Sequence, residues 1–192
     1  MNHDNPRFAK IYRGIFGMSE IVGGLRRRLI KDNFYYMVYN SMDQLNWFNT
    51  DAWKSNSPVE LLPEQLDPSK EIQPNKVSIS AEELNIRAWE MGSTLDEYAW
   101  DIYIDIFAED ESVGIHLSGD IYDILVGKFG SIGRSDDKLD VYNLAIDGEP
   151  FLFTCELKNI ETARVREWNK PFNKYWWVIG CTVVDYYYGD GG

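Results

Sequence analysis

Three residues carry the sharpest chemical signal in this sequence. Asp140 opens a strand, a turn follows at Asp147-Gly148, and the returning strand carries Glu156-Leu157-Lys158. Side chains two apart on a strand share a face, so Glu156 and Lys158 point the same way. Two carboxylates, Asp140 and Glu156, could hold a hard divalent cation, with Lys158 orienting or activating a water. The other reactive residues are scattered. His3 and His116 are the only histidines, and neither HxxxH nor CxxC spacing occurs, so no transition-metal site is spelled out. There is no GxSxG elbow, P-loop or GxGxxG turn. Asp101 and Asp105 fall on one face of a strand, but four residues along a strand is roughly 13 Å, too far to clamp one ion.

An Asp, a hairpin and a Glu-x-Lys return resembles the core of the PD-(D/E)xK nucleases. The motif is short, and the charge of the chain opposes it. The 192 residues carry a net charge of −12, which repels nucleic acid. Only a local groove built from Lys158, Arg164, Arg166, Lys170 and Lys174 could compensate. The same run, which also contains Trp168 and Phe172, has the composition of a protein–protein anchor, where Arg and Trp dominate. That reading is preferred, with Arg164, Arg166, Trp168, Lys170, Phe172 and Lys174 as candidate contacts with a neighbouring copy or partner.

The elements that would position these residues are legible in part. Trp100, Ile102, Ile104 and Ile106 alternate with Asp101, Tyr103, Asp105 and Phe107, which predicts a strand with one apolar face. Val113, Leu117, Ile121, Ile124 and Leu125 then fall at helical spacing, so a helix should lie on that face. Asp101 and Asp105 remain on the other face, as acids of a solvated or interface-facing strand. Upstream, the pattern predicts a helix around Ile21–Leu29 and a second from Phe34 to Phe48, with Asn33 as an interruption. Residues 49–76 hold Pro58, Pro63, Pro68 and Pro74 and read as an extended connection with a short strand at 59–62. Strands are expected at 77–80, 84–89, 141–146, 151–157 and 175–188, with a polar loop at 128–139 and a long connection over 158–174. The expected fold class is α+β, a mainly antiparallel mixed sheet with flanking helices. Residues 1–17 read as an N-terminal arm, 18–188 as one domain, and 189–192 as a polar tail.

Composition narrows the class further. Apolar residues make up 44% and aromatic residues 15% of the chain, enough for one core with rings left over for contacts. Residues 1–31 hold seven basic and two acidic side chains, so the acidic excess lies in the rest. The basic start could meet an acidic surface of another copy. Cys155 and Cys181, both in apolar strands, are expected to be buried free thiols. No apolar run approaches a membrane span, and the start lacks the apolar stretch of a secretory signal.

Taken together, WEMGS at 89–93, YIDIFAEDESVGIHLSGDIYDIL at 103–125, SIGR at 131–134, REWNKPFNKYWWVIGCTVVDYY at 166–187 and LNWF at 45–48 resemble the tail terminator proteins of long-tailed, non-contractile bacteriophages, most of all those of actinobacterial phages. The resemblance runs from about Met18 to Tyr188. It implies a structural virion protein without enzymatic activity or cofactor, forming a six-membered ring at the head-proximal end of the tail tube. Such a ring ends tube polymerisation and presents a surface to the head connector. The implied partners are further copies of the chain, the tail tube protein and the stopper, at the neck of the virion, after assembly in the host cytoplasm. Genomic DNA would slide through without specific binding, and no membrane is involved. Another head–tail connector protein, a stopper or an adaptor, is the nearest alternative.

Overall fold

A computed structural model describes residues 23–49, 58–88, 95–128, 134–135, 138–165 and 175–188. The N-terminal arm, the C-terminal tail and the 166–174 run therefore lie outside the described residues. Among these residues two helices, α1 (Gly23–Gln44) and α2 (Glu111–Leu125), accompany seven strands. These are β1 (Glu60–Leu62), β2 (Lys76–Ala88), β3 (Leu95–Phe107), β4 (Arg134–Ser135), β5 (Lys138–Tyr142), β6 (Phe151–Val165) and β7 (Trp176–Tyr188). They form one mixed sheet in the order β1-β2-β3-β7-β6-β5-β4. Among the described residues β1 and β2 run parallel and the other pairings are antiparallel. The α+β class expected from the sequence is what the structure shows.

The core follows from alternation. The register aligns Val77 with Ile106 and Ile79 with Ile104 between β2 and β3. Between β3 and β7 it aligns Ile106 with Trp177, Ile104 with Ile179, Ile102 with Cys181 and Trp100 with Val183. Leu157 continues the row on β6, and Leu139 meets Cys155 on β5. All of these side chains are buried, together with Val113, Leu117, Ile121, Ile124 and Leu125 of α2 and Phe34, Met37, Val38 and Met42 of α1. Each fully buried Ile or Leu contributes about 1.5–3 kcal/mol relative to exposure.

Local signals set the helix ends. Asp110 caps α2, its carboxylate accepting from the Val113 amide at 2.8 Å, and Glu111 adds a negative charge at the positive end of the helix dipole. Gly127, at φ 76°, closes it, with the Gly127 amide on the Ile124 carbonyl and the Lys128 amide on that of Asp123. Asn46 plays the same part after α1 at φ 62°, with the Trp47 amide returning to the Met42 carbonyl at 3.0 Å.

Several sequence expectations are revised. Asn33 does not interrupt a helix: α1 is continuous and Asn33 is buried within it. Its amide nitrogen donates to the Leu29 and Tyr142 carbonyls, and its oxygen accepts from the Tyr142 amide, at 2.9 Å each. That pairing, 109 residues away in sequence, removes the cost of burying a polar group. The expected strands 77–80 and 84–89 are one strand, β2, described as far as Ala88, with an irregularity between Ala81 and Leu84. The strand expected at 141–146 stops at Tyr142, where the chain turns. The long 158–174 connection is shorter than expected. β6 runs on to Val165 because residues 161–165 pair with β7, after a bulge between Lys158 and Glu161 where Asn159 takes φ 52°.

Candidate subunit interface

Two regions hold several of the residues that the sequence singles out. The first is the sheet face turned away from the core row. Asp101 and Asp105 lie on it together, as alternation requires. Neither projects as a free carboxylate. Asp101 accepts from the Thr182 hydroxyl at 2.9 Å, and Asp105 from the Trp176 indole nitrogen at 2.9 Å. Asp105 is only 9% exposed, and burial raises its carboxyl above the ordinary value of 3.8, partly opposed by the Trp176 hydrogen bond. Trp176 also stacks on Phe107 with ring centroids 5.6 Å apart. The Tyr103 ring covers Gly180, where an added Cβ would lie 3.7 Å from it. The Ser78 hydroxyl, paired in register with Asp105, is buried without a hydrogen-bond partner.

The second region is the far half of β6. β5 pairs with β6 only as far as Glu156. From Leu157 to Val165, β6 pairs with β7 alone among the described residues, and Lys158, Asn159, Glu161, Thr162 and Ala163 are exposed. An edge strand of this kind is where a sheet can take up a further strand. The sheet's other side repeats the arrangement diagonally. β1 covers β2 only from Lys76 to Ser78, and the remainder of β2 pairs only with β3 among the described residues. There the Arg27 guanidinium donates to the Ala81 carbonyl at 3.1 Å.

Of the basic and aromatic candidates, Arg164 lies within the described residues, whereas Arg166, Trp168, Lys170, Phe172 and Lys174 lie outside them. Arg164 is engaged within the subunit. Its guanidinium bonds the Glu111 carboxylate at the start of α2 and lies over the Trp177 ring, 5.4 Å from its centroid. Its Nε is buried without a partner. No local pattern announces this clamp, because its members come from three elements.

The hairpin constellation also resolves into pairwise bonds. Asp140 accepts from the Thr154 hydroxyl at 2.8 Å, and Glu156 pairs with Lys158 at 2.7 Å. Glu156 and Lys158 share a face, as expected. Among the described residues no group of three or more His, Cys, Asp or Glu side chains converges as a metal ion would need. His116 is exposed on α2, and His3 lies outside the described residues. Both cysteines are buried free thiols, and burial pushes the Cys155 thiol far up. No described helix is long and apolar enough to cross a membrane.

No protein-family model matches this sequence, and no curated protein matches it.

Proposed function

We propose that this chain is a ring-forming structural subunit of the phage tail terminator type, closing the head-proximal end of a tail tube and offering a surface to the head connector. The observation that carries the reading is the pair of half-covered edges. β2 and β6 lie on opposite sides of the sheet, and each is open over one half of its length among the described residues. Two different edges favour head-to-tail joining, and head-to-tail joining closes into rings when the rotation allows. β2 and β6 also run in opposite directions, so β6 of one copy beside β2 of the next would extend the antiparallel ladder.

The acidic balance fits the same role. A wall carrying net negative charge lets DNA pass without adhering. The basic and aromatic run at 166–174 supplies residue types suited to the subunit contact.

Light scattering on the purified chain, followed by negative-stain images, tests the ring. Rings of about six copies are expected. Mixing with tail tube protein separates a terminator, which caps the growing tube, from a stopper or adaptor, which leaves tube length unchanged. Arg166→Glu with Trp168→Ala should lower the oligomer mass while leaving thermal unfolding in place. Unchanged mass in that double variant would remove the run from the interface.

A further inference from the structure

Residues 158–165 of β6 make a poor strand on composition alone. Lys158, Asn159, Glu161 and Ala163 are of types depleted in strands. These four and Thr162 are exposed, so they bring little of the burial that holds β3 and β7 in place. Asn159 breaks the alternation at φ 52°, inside the bulge between Lys158 and Glu161. Past the bulge the stretch pairs with β7 alone among the described residues, Glu161 opposite Gly180 and Val165 opposite Trp176. A segment with few buried apolar contacts opens locally at a small free energy.

A brace from another element reaches this stretch. The Arg164 guanidinium bonds the Glu111 carboxylate and lies over the Trp177 ring, 5.4 Å from its centroid. Both anchors are fixed. Trp177 is buried and stands across the ladder from Arg164. Glu111 opens α2, which Asp110 caps and which Val113, Leu117 and Ile121 seat in the core. The open half of β6 is thus tied to the start of a helix 53 residues earlier. The Arg164 side chain is 27% exposed and that of Glu111 55%, so solvent screens the pair in part.

We propose that Glu111 and Arg164 hold residues 161–165 of β6 as a strand, and that this order lets the edge take up β2 of a second copy of the chain. The second half of the inference rests on the ring reading. An edge that is already ordered gives up little freedom when a strand adds to it. Arg164 is then a positioning residue, acting on the neighbour through the strand that carries it.

Hydrogen exchange read by mass spectrometry on the full chain, at a concentration where it is monomeric, tests the brace. Glu111→Gln is the variant, because it leaves the sequence of β6 and hence its intrinsic exchange rates unchanged. Amides of 161–165 should exchange about two- to fivefold faster, the range for losing a partly exposed ion pair. Those of 102–106 and 117–125 should keep their rates. In light scattering the concentration of half-assembly should rise, with thermal unfolding in place. Unchanged exchange at 161–165 overturns the brace. Faster exchange there with an unchanged half-assembly concentration overturns its role in joining. A wild-type chain of monomer mass at every concentration removes the ring reading and the joining with it, while the exchange arm still decides the brace.

Discussion

Replacing Gly114 by alanine should destabilise this protein, against the ordinary trend. In a helix interior alanine is favoured over glycine by about 1 kcal/mol. Here the added methyl would be placed 1.9 Å from the Trp177 ring, with two further ring carbons at 2.1 and 2.6 Å. Trp177 is buried between α2 and the sheet and carries the Arg164 guanidinium over its ring, so it has little room to retreat. Overpacking of a tight core costs about 1–3 kcal/mol, and a contact this close belongs at the upper end. Setting about 3 against about 1 leaves a net loss of roughly 2 kcal/mol, or about 4–8 °C in melting temperature for a domain of this size. Trp177→Leu removes the obstructing ring, so Gly114→Ala made in that background should stabilise by about 1 kcal/mol. The assay is urea unfolding of the four proteins of this double-mutant cycle. A rise in stability on Gly114→Ala in the wild-type background would refute the argument.

Three other perturbations have worked signs. Arg26 donates to the Asp185 carboxylate, which is 1% exposed, and lies 3.7 Å from the centre of the Phe153 ring. Arg26→Met leaves a buried charge unpaired and should cost about 3–5 kcal/mol, while adding Asp185→Leu should recover most of it; a loss under about 1 kcal/mol for the single variant contradicts this. Asp105 has a raised carboxyl value, so below 3.8 both folded and unfolded chains are protonated and burial carries no charge penalty. As pH rises past 3.8 the unfolded chain ionises first, and stability is lost until the folded carboxyl ionises as well. Asp105→Asn should therefore gain more over wild type at pH 7 than at pH 3 in denaturant titrations, and an equal gain at both would show that charge burial is not the cause. The Cys155 thiol, buried and shifted upward, should resist maleimide at pH 7.5 in the native chain and react once urea unfolds it, as mass spectrometry would read.

The legible parts of the fold are those where one periodicity decides. Trp100, Ile102, Ile104 and Ile106 alternate, Val113, Leu117, Ile121, Ile124 and Leu125 recur at helical spacing, and the structure buries all of these. What the sequence hid depends on distant partners. Asn33 looks like a break when read locally, yet Tyr142 satisfies its amide from across the fold. Lys158 to Val165 show no apolar alternation because both faces are largely exposed, so only their pairing with β7 makes them a strand. Phe151 sits in an apolar run with Phe153, Cys155 and Leu157, but it lies at the start of its strand beside the hairpin loop and stays exposed. Alternation alone puts Asp101 and Asp105 on one face of β3. Their engagement by Thr182 and Trp176 was not readable, because the register of β3 against β7 is set by long-range pairing rather than by local spacing.

The position of β7 bears on biosynthesis. It is the last described strand in sequence, yet it lies between β3 and β6 and joins the two halves of the sheet. Before residues 176–188 have been translated, β1–β3 and β4–β6 cannot belong to one ladder. β3, thirteen residues long, and β6, fifteen, would then lack the partner that later separates them. From Val165 to Tyr188, elongation at about 5–20 residues per second takes roughly 1–5 seconds. Through that interval the nascent chain carries two long hydrogen-bonding templates, and neighbouring ribosomes on one message hold others like them. Chaperone engagement would matter most in that window, and a stop codon upstream of β7 would leave two fragments of a sheet.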